Sequence, residues 1–145
     1  MARVLFVCTG NTCRSPMAEA ILKSKQLPGV EVKSAGVYAD NDAEASVNAK
    51  VVLQENNISH DHRSSTLTWD EIGWATLILT MTQSHKAMIL SQYPDAWDKT
   101  FTLKEFAEDD LNPDVADPFG GNKQNYREAF LEIKESIEKI VEKLR

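Results

Sequence analysis

RVLFVCTGNTCRSP, residues 3–16, passes from a β-branched, nearly continuous apolar run into a short polar turn and then to Ser-Pro. Arg3 to Cys8 has the character of a strand covered on both faces, as in a parallel sheet, where alternation is lost because neither face meets water. The turn TGNT stops it. Ser15-Pro16 then opens PMAEAILKSKQ, a run of good helix formers with proline at the favoured first helical position and Ser15 as the expected N-cap. Glu19 stands one residue too far on for a capping box. The order strand, tight loop, helix is the opening of an α/β fold.

The alternation continues downstream. VEVKSAG (Val30 to Gly36) patterns as a strand, and AEASVNAKVVLQENN (43–57) as a helix with Val47, Val51 and Val52 on one side. TWDEIGWA predicts a short helix and TLILTM (Thr76 to Met81) a strand. TQSHKAMILSQY predicts a helix stopped near Pro94, and KTFTL a further strand. Asp109 to Phe119 has little periodicity and two prolines, and reads as a loop. Tyr126, Phe130, Ile133, Ile137, Ile140 and Leu144 recur by threes and fours, the core-facing stripe of a long C-terminal helix. Four strands alternating with helices predict a single α/β domain over residues 1–145. Its central four-stranded parallel sheet would be flanked by helices on both faces. Ligands bind such sheets at the carboxyl ends of strands. The loop after the first strand is one such place, and Asp109 to Gly121 is expected to be another.

Bulk composition narrows the function. The chain has 145 residues, 42% of them hydrophobic, enough for a core without disulfide staples. Sixteen basic against 22 acidic residues give a formal net charge of −6. That argues against nucleic acid or an anionic membrane as partner, since both reward basic patches. Residues 1–9 hold one arginine and the short apolar run VLFV, far below the ~18 residues of a membrane span. Two cysteines make no disulfide scaffold, so a cytoplasmic, reducing setting is expected. His60, His62 and His85 show no metal-ligand spacing. His62 reads as a structural histidine, and His60 and His85 as surface residues. Trp69, Trp74 and Trp97 read as core or partly covered surface, and Tyr38 as a contributor to a pocket rim.

The first loop carries the chemistry. Cys8 ends a buried strand, Gly10 would permit an unusual backbone angle, and a helix starts directly after Arg14. Such a loop, Thr9 to Cys13, points backbone N–H groups inward on a positive helix terminus and makes a cradle for a phosphate. These surroundings favour a thiolate over a thiol. Arg14 offers a planar fork that matches two phosphoryl oxygens, which lysine does not. Ser15 Oγ is placed to donate to the sulfur and to stabilise it as a leaving group. Cys13, beside Arg14, is badly placed to share the fork, so Cys8 is the expected nucleophile. Departure of a basic group also needs a proton donor, and Asp117 in ADPFGG is the candidate. Proline fixes the backbone after it, and Gly120-Gly121 lets the loop approach.

VCTGNTCRSPMAEA followed far downstream by DPFGG resembles the low-molecular-weight protein tyrosine phosphatase family, most of all its bacterial protein-arginine phosphatase branch. SAGV, HRSSTLT and MTQSHK fall between in the family's order, so the resemblance spans the chain. It implies a phosphocysteine on Cys8, phosphate binding by Arg14 and the loop Thr9, Gly10, Asn11, Thr12, and Asp117 as acid and then base. It further implies that Asn11, Ser34 and His62 hold the loop by hydrogen bonds, and that Cys13 forms a reversible disulfide with Cys8 that guards against deeper oxidation. Thr12 and Phe119 bear on the substrate. Tyrosine-specific members usually have an aliphatic residue at the Thr12 position and two adjacent aromatics after Asp-Pro. Here a hydroxyl and a lone Phe119 suit a slim alkyl-guanidinium, so phosphoarginine on proteins is the expected substrate and phosphotyrosine the alternative. The chain is expected to act as a monomer without metal or cofactor, Arg14 and the loop amides supplying the charge stabilisation. A thioredoxin-coupled arsenate reductase would need cysteines after Cys13, and there are none. A phosphocysteine carrier would not need Asp117.

Overall fold

The computed structural model describes residues 2–109 and 111–144. One residue of the loop expected from Asp109 to Phe119, and both ends of the domain expected over 1–145, lie outside them. Strand β1 runs Ala2–Cys8 and is followed by helix α1, Arg14–Ser24. Strand β2, Val30–Gly36, leads by way of α2, Val47–Glu55, and α3, Trp69–Trp74, to β3, Leu77–Thr80. Helix α4, Gln83–Gln92, and a 3₁₀ turn at Pro94–Ala96 precede β4, Thr100–Thr102. A short helix α5, Leu103–Phe106, and the long α6, Lys123–Leu144, complete the order. The strands form one parallel sheet in the order β2-β1-β3-β4, so the four-stranded α/β architecture expected from sequence is the one observed.

Successive residues of β1 point to opposite faces, and both faces are covered. Val4 and Phe6 enter a cluster with Met17 and Ile21 of α1, Val52 of α2 and Phe130, Ile133 and Ile137 of α6. Leu5 and Val7 enter a second cluster with Ile72 of α3 and Ile89 of α4. The α6 stripe is fully buried at Ile133, Ile137 and Ile140, each such side chain contributing about 1.5–3 kcal/mol. Its partner α1 is buried along nearly its whole length, Glu19 included.

Local chemistry sets the element ends. Thr68 and Glu71 form a reciprocal capping box on α3, and Thr102 and Glu105 form one on α5. The sequence reading missed α5, because a single turn is too short to show periodicity. Helix α2 is capped by Ser46, whose oxygen accepts from Ala49 N–H, and it starts later than expected. Val47 is exposed there, while Ala49, Val52 and Leu53 face the core. Trp69 and Trp97 are 65% and 70% exposed and belong to no core. Trp69 only leans edge-on against Tyr93, and Lys33 covers the half-buried Trp74. His60 and His85, expected at the surface, have buried side chains.

Candidate active site

Cys8 is the last residue of β1, at the carboxyl edge of the sheet. Ser15 is the second residue of α1, and its Oγ lies 2.9 Å from Cys8 Sγ. The helix begins at Arg14 with Cys13 as N-cap and no side-chain cap bond. Ser15 is therefore not the cap; its hydroxyl is committed to the sulfur and to Asn11 instead. Asn11 Nδ2 donates to Ser15 Oγ at 2.8 Å and to Ser34 Oγ at 2.9 Å. One lone pair of the Ser15 hydroxyl takes that N–H, and toward a thiolate, which can only accept, the hydroxyl would be the donor.

Asn11 is the keystone of the loop. It is the left-handed residue there, φ 56°, whereas Gly10 is not in that region. Its side-chain oxygen accepts from Ser65 N–H at 2.9 Å, and its carbonyl accepts from His62 Nε2 at 2.7 Å. Ser34 Oγ in turn donates to Glu19 Oε1 at 2.6 Å. Burial raises the Glu19 pKa, but the close approach of the His60 and His62 rings, with the Ser34 hydrogen bond and the Lys23 ion pair, outweighs it and holds the carboxyl well below the usual range. Glycine is required at Gly36, where an added Cβ would lie 2.5 Å from Thr9 O and 2.9 Å from Asn11 N. Among the described residues, no backbone carbonyl or side chain accepts from the N–H groups of Gly10 to Cys13, which leaves them for an anion.

The distant loop does reach this site. Val115 N–H donates to Met81 O at 2.8 Å, beyond the end of β3, while Val115 O accepts from Arg14 Nη1 at 3.0 Å. Asp114 caps Gln83 N–H at the start of α4 at 2.8 Å. So held, the loop sets Asp117 Oδ2 3.6 Å from Arg14 Nη2. Arg14 is buried, whereas the Asp117 carboxylate is 57% exposed at the mouth. Asp117 Oδ1 accepts from Phe119 N–H at 3.0 Å, a local turn that the following proline favours. Cys8, Thr9, Gly10, Thr12, Cys13, Arg14, Asp117 and Phe119 line one pocket of about 230 Å³. Phe119 is 77% exposed on its rim. Asn11 and Ser15 are wholly buried behind the loop, with Ser34 and His62 further back. Tyr38 is exposed and is not among the residues lining this pocket.

Cys13 Sγ lies 3.3 Å from Tyr126 Oη of α6, and burial first, then this contact, raises the phenol pKa. Both cysteines are free thiols. His85 is the neighbour that sequence reading passed over. Its Nε2 is 2.8 Å from Thr9 Oγ1 and its Nδ1 is 3.0 Å from Thr82 Oγ1. Burial, reinforced by Arg14 and opposed by Asp117 and Asp114, pushes its pKa down to about 4. A neutral ring thus buttresses the first residue of the loop. The usable signal was its place just after the third strand, at the ligand-binding edge of a parallel sheet.

Residues 3–145 match the family model described as low molecular weight phosphotyrosine protein phosphatase. A protein-arginine-phosphatase of Geobacillus stearothermophilus is 57% identical over 143 residues, covering 99% of this chain and 96% of its own. The solved structure of the YwlE arginine phosphatase from the same organism superposes with a TM-score of 0.96 at 57% identity, over 99% of this chain and 93% of that one. A YwlE arginine phosphatase mutant with a phosphorylated active site serine superposes at 0.93 with 42% identity, over 98% and 95% of the two chains.

Proposed function

The chain belongs to the low molecular weight phosphotyrosine protein phosphatase family, and on that premise we propose that it is a protein-arginine phosphatase working through a phosphocysteine. The observation that carries the reading is the meeting of Cys8, Thr12, Arg14 and Asp117 on one pocket, in a chain 57% identical over 99% of its length to a protein-arginine-phosphatase.

The phosphoryl group of phosphoarginine enters the cradle of loop amides, and the Arg14 fork takes two of its oxygens. Val115 O already fixes one end of that fork, so little freedom is lost on binding. Cys8 Sγ attacks phosphorus as the P–N bond breaks. Asp117 protonates the departing nitrogen, which matters because a free guanidine is very basic, with a conjugate-acid pKa above ~12. The arginine leaves neutralised and Cys8 carries the phosphoryl group. Asp117, now a carboxylate, takes a proton from water as it attacks phosphorus. The Cys8 thiolate departs onto the Ser15 hydroxyl, and inorganic phosphate is released.

Thr12 sets the choice of substrate, its hydroxyl facing a guanidinium where an aliphatic side chain would pack on a phenol ring. Phe119 supplies one aromatic wall for the alkyl stem. The chain is read as a monomer acting on exposed side chains of phosphorylated proteins. A reducing cytoplasm suits a thiolate enzyme whose two cysteines are free, and under oxidation Cys13 would trap Cys8 as a disulfide. Among the described residues, no helix is long and apolar enough to cross a membrane.

The deciding experiment compares kcat/KM for phosphoarginine and phosphotyrosine peptides of one sequence. A clear preference for phosphoarginine is expected, and a preference for phosphotyrosine overturns the specificity. Cys8→Ser is expected to abolish turnover and Asp117→Ala to slow it at least ~100-fold; full turnover in either would remove that residue from the mechanism.

A further inference from the structure

On spacing alone, the His-Asp-His of residues 60–62 lacks a third ligand, and for that reason the sequence predicts no metal. The fold supplies the missing group from α1. Glu19 Oε1 lies 3.4 Å from His60 Nε2 and 3.4 Å from His62 Nδ1, and one donor atom from each residue falls within 4.8 Å of the others. All three side chains are at least nine-tenths buried. They sit at a cavity of about 340 Å³ behind the phosphate loop, separate from the catalytic pocket. We propose that Glu19, His60 and His62 form a binding site for a divalent transition cation, zinc in chemical class, with water completing the coordination from the cavity.

The hydrogen-bond accounting leads there. His62 Nε2 faces the Asn11 carbonyl at 2.7 Å and must carry a proton to donate to it. Nδ1 of the same ring faces the Glu19 carboxylate, an arrangement that needs either a second proton or a cation between the two. A ring nitrogen that ligates a metal while the other donates to a backbone carbonyl is the usual way such histidines are oriented. His60 Nε2 is buried with no hydrogen-bond partner among the described residues, its approach to Glu19 having ion-pair distance without hydrogen-bond alignment. A buried, unpartnered nitrogen is costly, and coordination would satisfy it.

The spacing fits as well. Donors bound to tetrahedral zinc at ~2.0–2.1 Å lie ~3.4 Å apart, which is the separation of Glu19 Oε1 from each histidine nitrogen. Only the edge between the histidines has to shorten. Ser34 Oγ, donating to the Glu19 oxygen at 2.6 Å, orients that ligand from behind. Lys23 pairs with the other carboxylate oxygen at 3.0 Å, but it is 48% exposed and can withdraw into solvent. The ring of His62, ligating through Nδ1 and donating to the Asn11 carbonyl through Nε2, stands between the cation position and the phosphate loop, so the metal would brace the loop without touching substrate.

Cysteine thiolates also take zinc, so the test removes them. Zinc chloride is titrated calorimetrically into the chelator-treated Cys8→Ser, Cys13→Ser double variant. One equivalent is expected to bind and to raise the thermal midpoint. Adding His60→Ala is expected to weaken binding at least ~10-fold and to remove the midpoint shift. On the thiol-containing chain, His60→Ala in chelator is expected to keep phosphatase activity, showing that it folds. If the double variant does not fold, cobalt(II) on the thiol-containing chain decides the matter. A visible ligand-field band that His60→Gln eliminates, while the near-ultraviolet thiolate band is untouched, supports the site. Absence of binding, or binding and spectra indifferent to His60, overturns it.

Discussion

Ser15 shows how one hydroxyl couples the structure of the loop to its chemistry. It accepts from Asn11 and would donate to a Cys8 thiolate, so Ser15→Ala removes a donor to an ionised sulfur while leaving the helix intact. Hydrogen bonds to charged groups contribute about 1.5–3 kcal/mol, and breakdown of the phosphocysteine should slow by ~10- to 100-fold. Rapid-quench measurement on a phosphoarginine peptide should show the phosphoenzyme accumulating; an unchanged breakdown rate would remove Ser15 from the second step. Thr12 belongs to the same scale. Its side chain lines the pocket, and Thr12→Ile replaces a hydroxyl with an apolar surface for a phenol ring. The kcat/KM ratio of phosphoarginine to phosphotyrosine peptide should fall by ~10-fold or more, and a ratio that does not move would take specificity away from this residue. At this scale the sequence was legible in that Cys8, Arg14 and Asp117, picked out by residue type, line one pocket. It was misleading where a residue's usual habit was overridden. Ser15 before proline resembles an N-cap, yet the sulfur claims it, and the strained angle falls on Asn11, whose buried side chain is tied to Ser15, Ser34 and Ser65.

Elements were legible in proportion to their length and period. The stripe of α6 and the buried run of β1 were read directly, because each is a repeated pattern that core packing imposes. The one-turn α5 carries only a cap, and Val47 was assigned to the wrong face because α2 starts at its capping serine, later than the apolar letters suggest. The approach of the Asp117 loop to the Cys8 loop was expected only from its place at a strand end and from the family resemblance, and what holds it there was not readable. It depends on Val115 bridging Met81 and Arg14 with its own backbone, and backbone partners leave no mark on residue choice. Gly36 is where two elements meet most closely. It ends β2, donates to Ser65 O and sits against the backbone of Thr9 and Asn11. Gly36→Ala has no flexible side chain to yield, since the closest atoms are the backbone of Thr9 and Asn11 and the Cβ of Ala39. Overpacking of this kind typically costs about 1–3 kcal/mol. Urea denaturation should show the loss, and phosphatase activity should fall with it because the atoms displaced belong to the phosphate loop. A variant as stable and active as the parent would mean that β2 does not clamp the loop.

Across the whole molecule, the proton balance between folded and unfolded chains offers a test that no single contact does. In the sequence His85 reads as a surface residue, because a lone histidine on a helix carries no sign of burial; the sheet edge, Thr9 and Thr82 enclose it only once the chain is folded. Burial, with Arg14 nearby, lowers its pKa from 6.5 to about 4. The unfolded chain therefore binds a proton at this site between those values while the folded chain does not, and stability must rise with pH through that window. Its contribution is complete above about pH 6.5, erodes as the pH falls, and stops changing below about pH 4. Other groups titrate there too, so the informative quantity is a difference. Urea midpoints measured at ~pH 7 and ~pH 5 should drop more steeply for the parent than for His85→Asn, which keeps polar atoms near Thr9 and Thr82 but takes no proton. Above pH 6.5 the variant should also lose activity through looser placement of Thr9. Parallel pH slopes in parent and variant would show that His85 gains its proton equally in both states, and the neutral buttress beneath the phosphate loop would have to be abandoned.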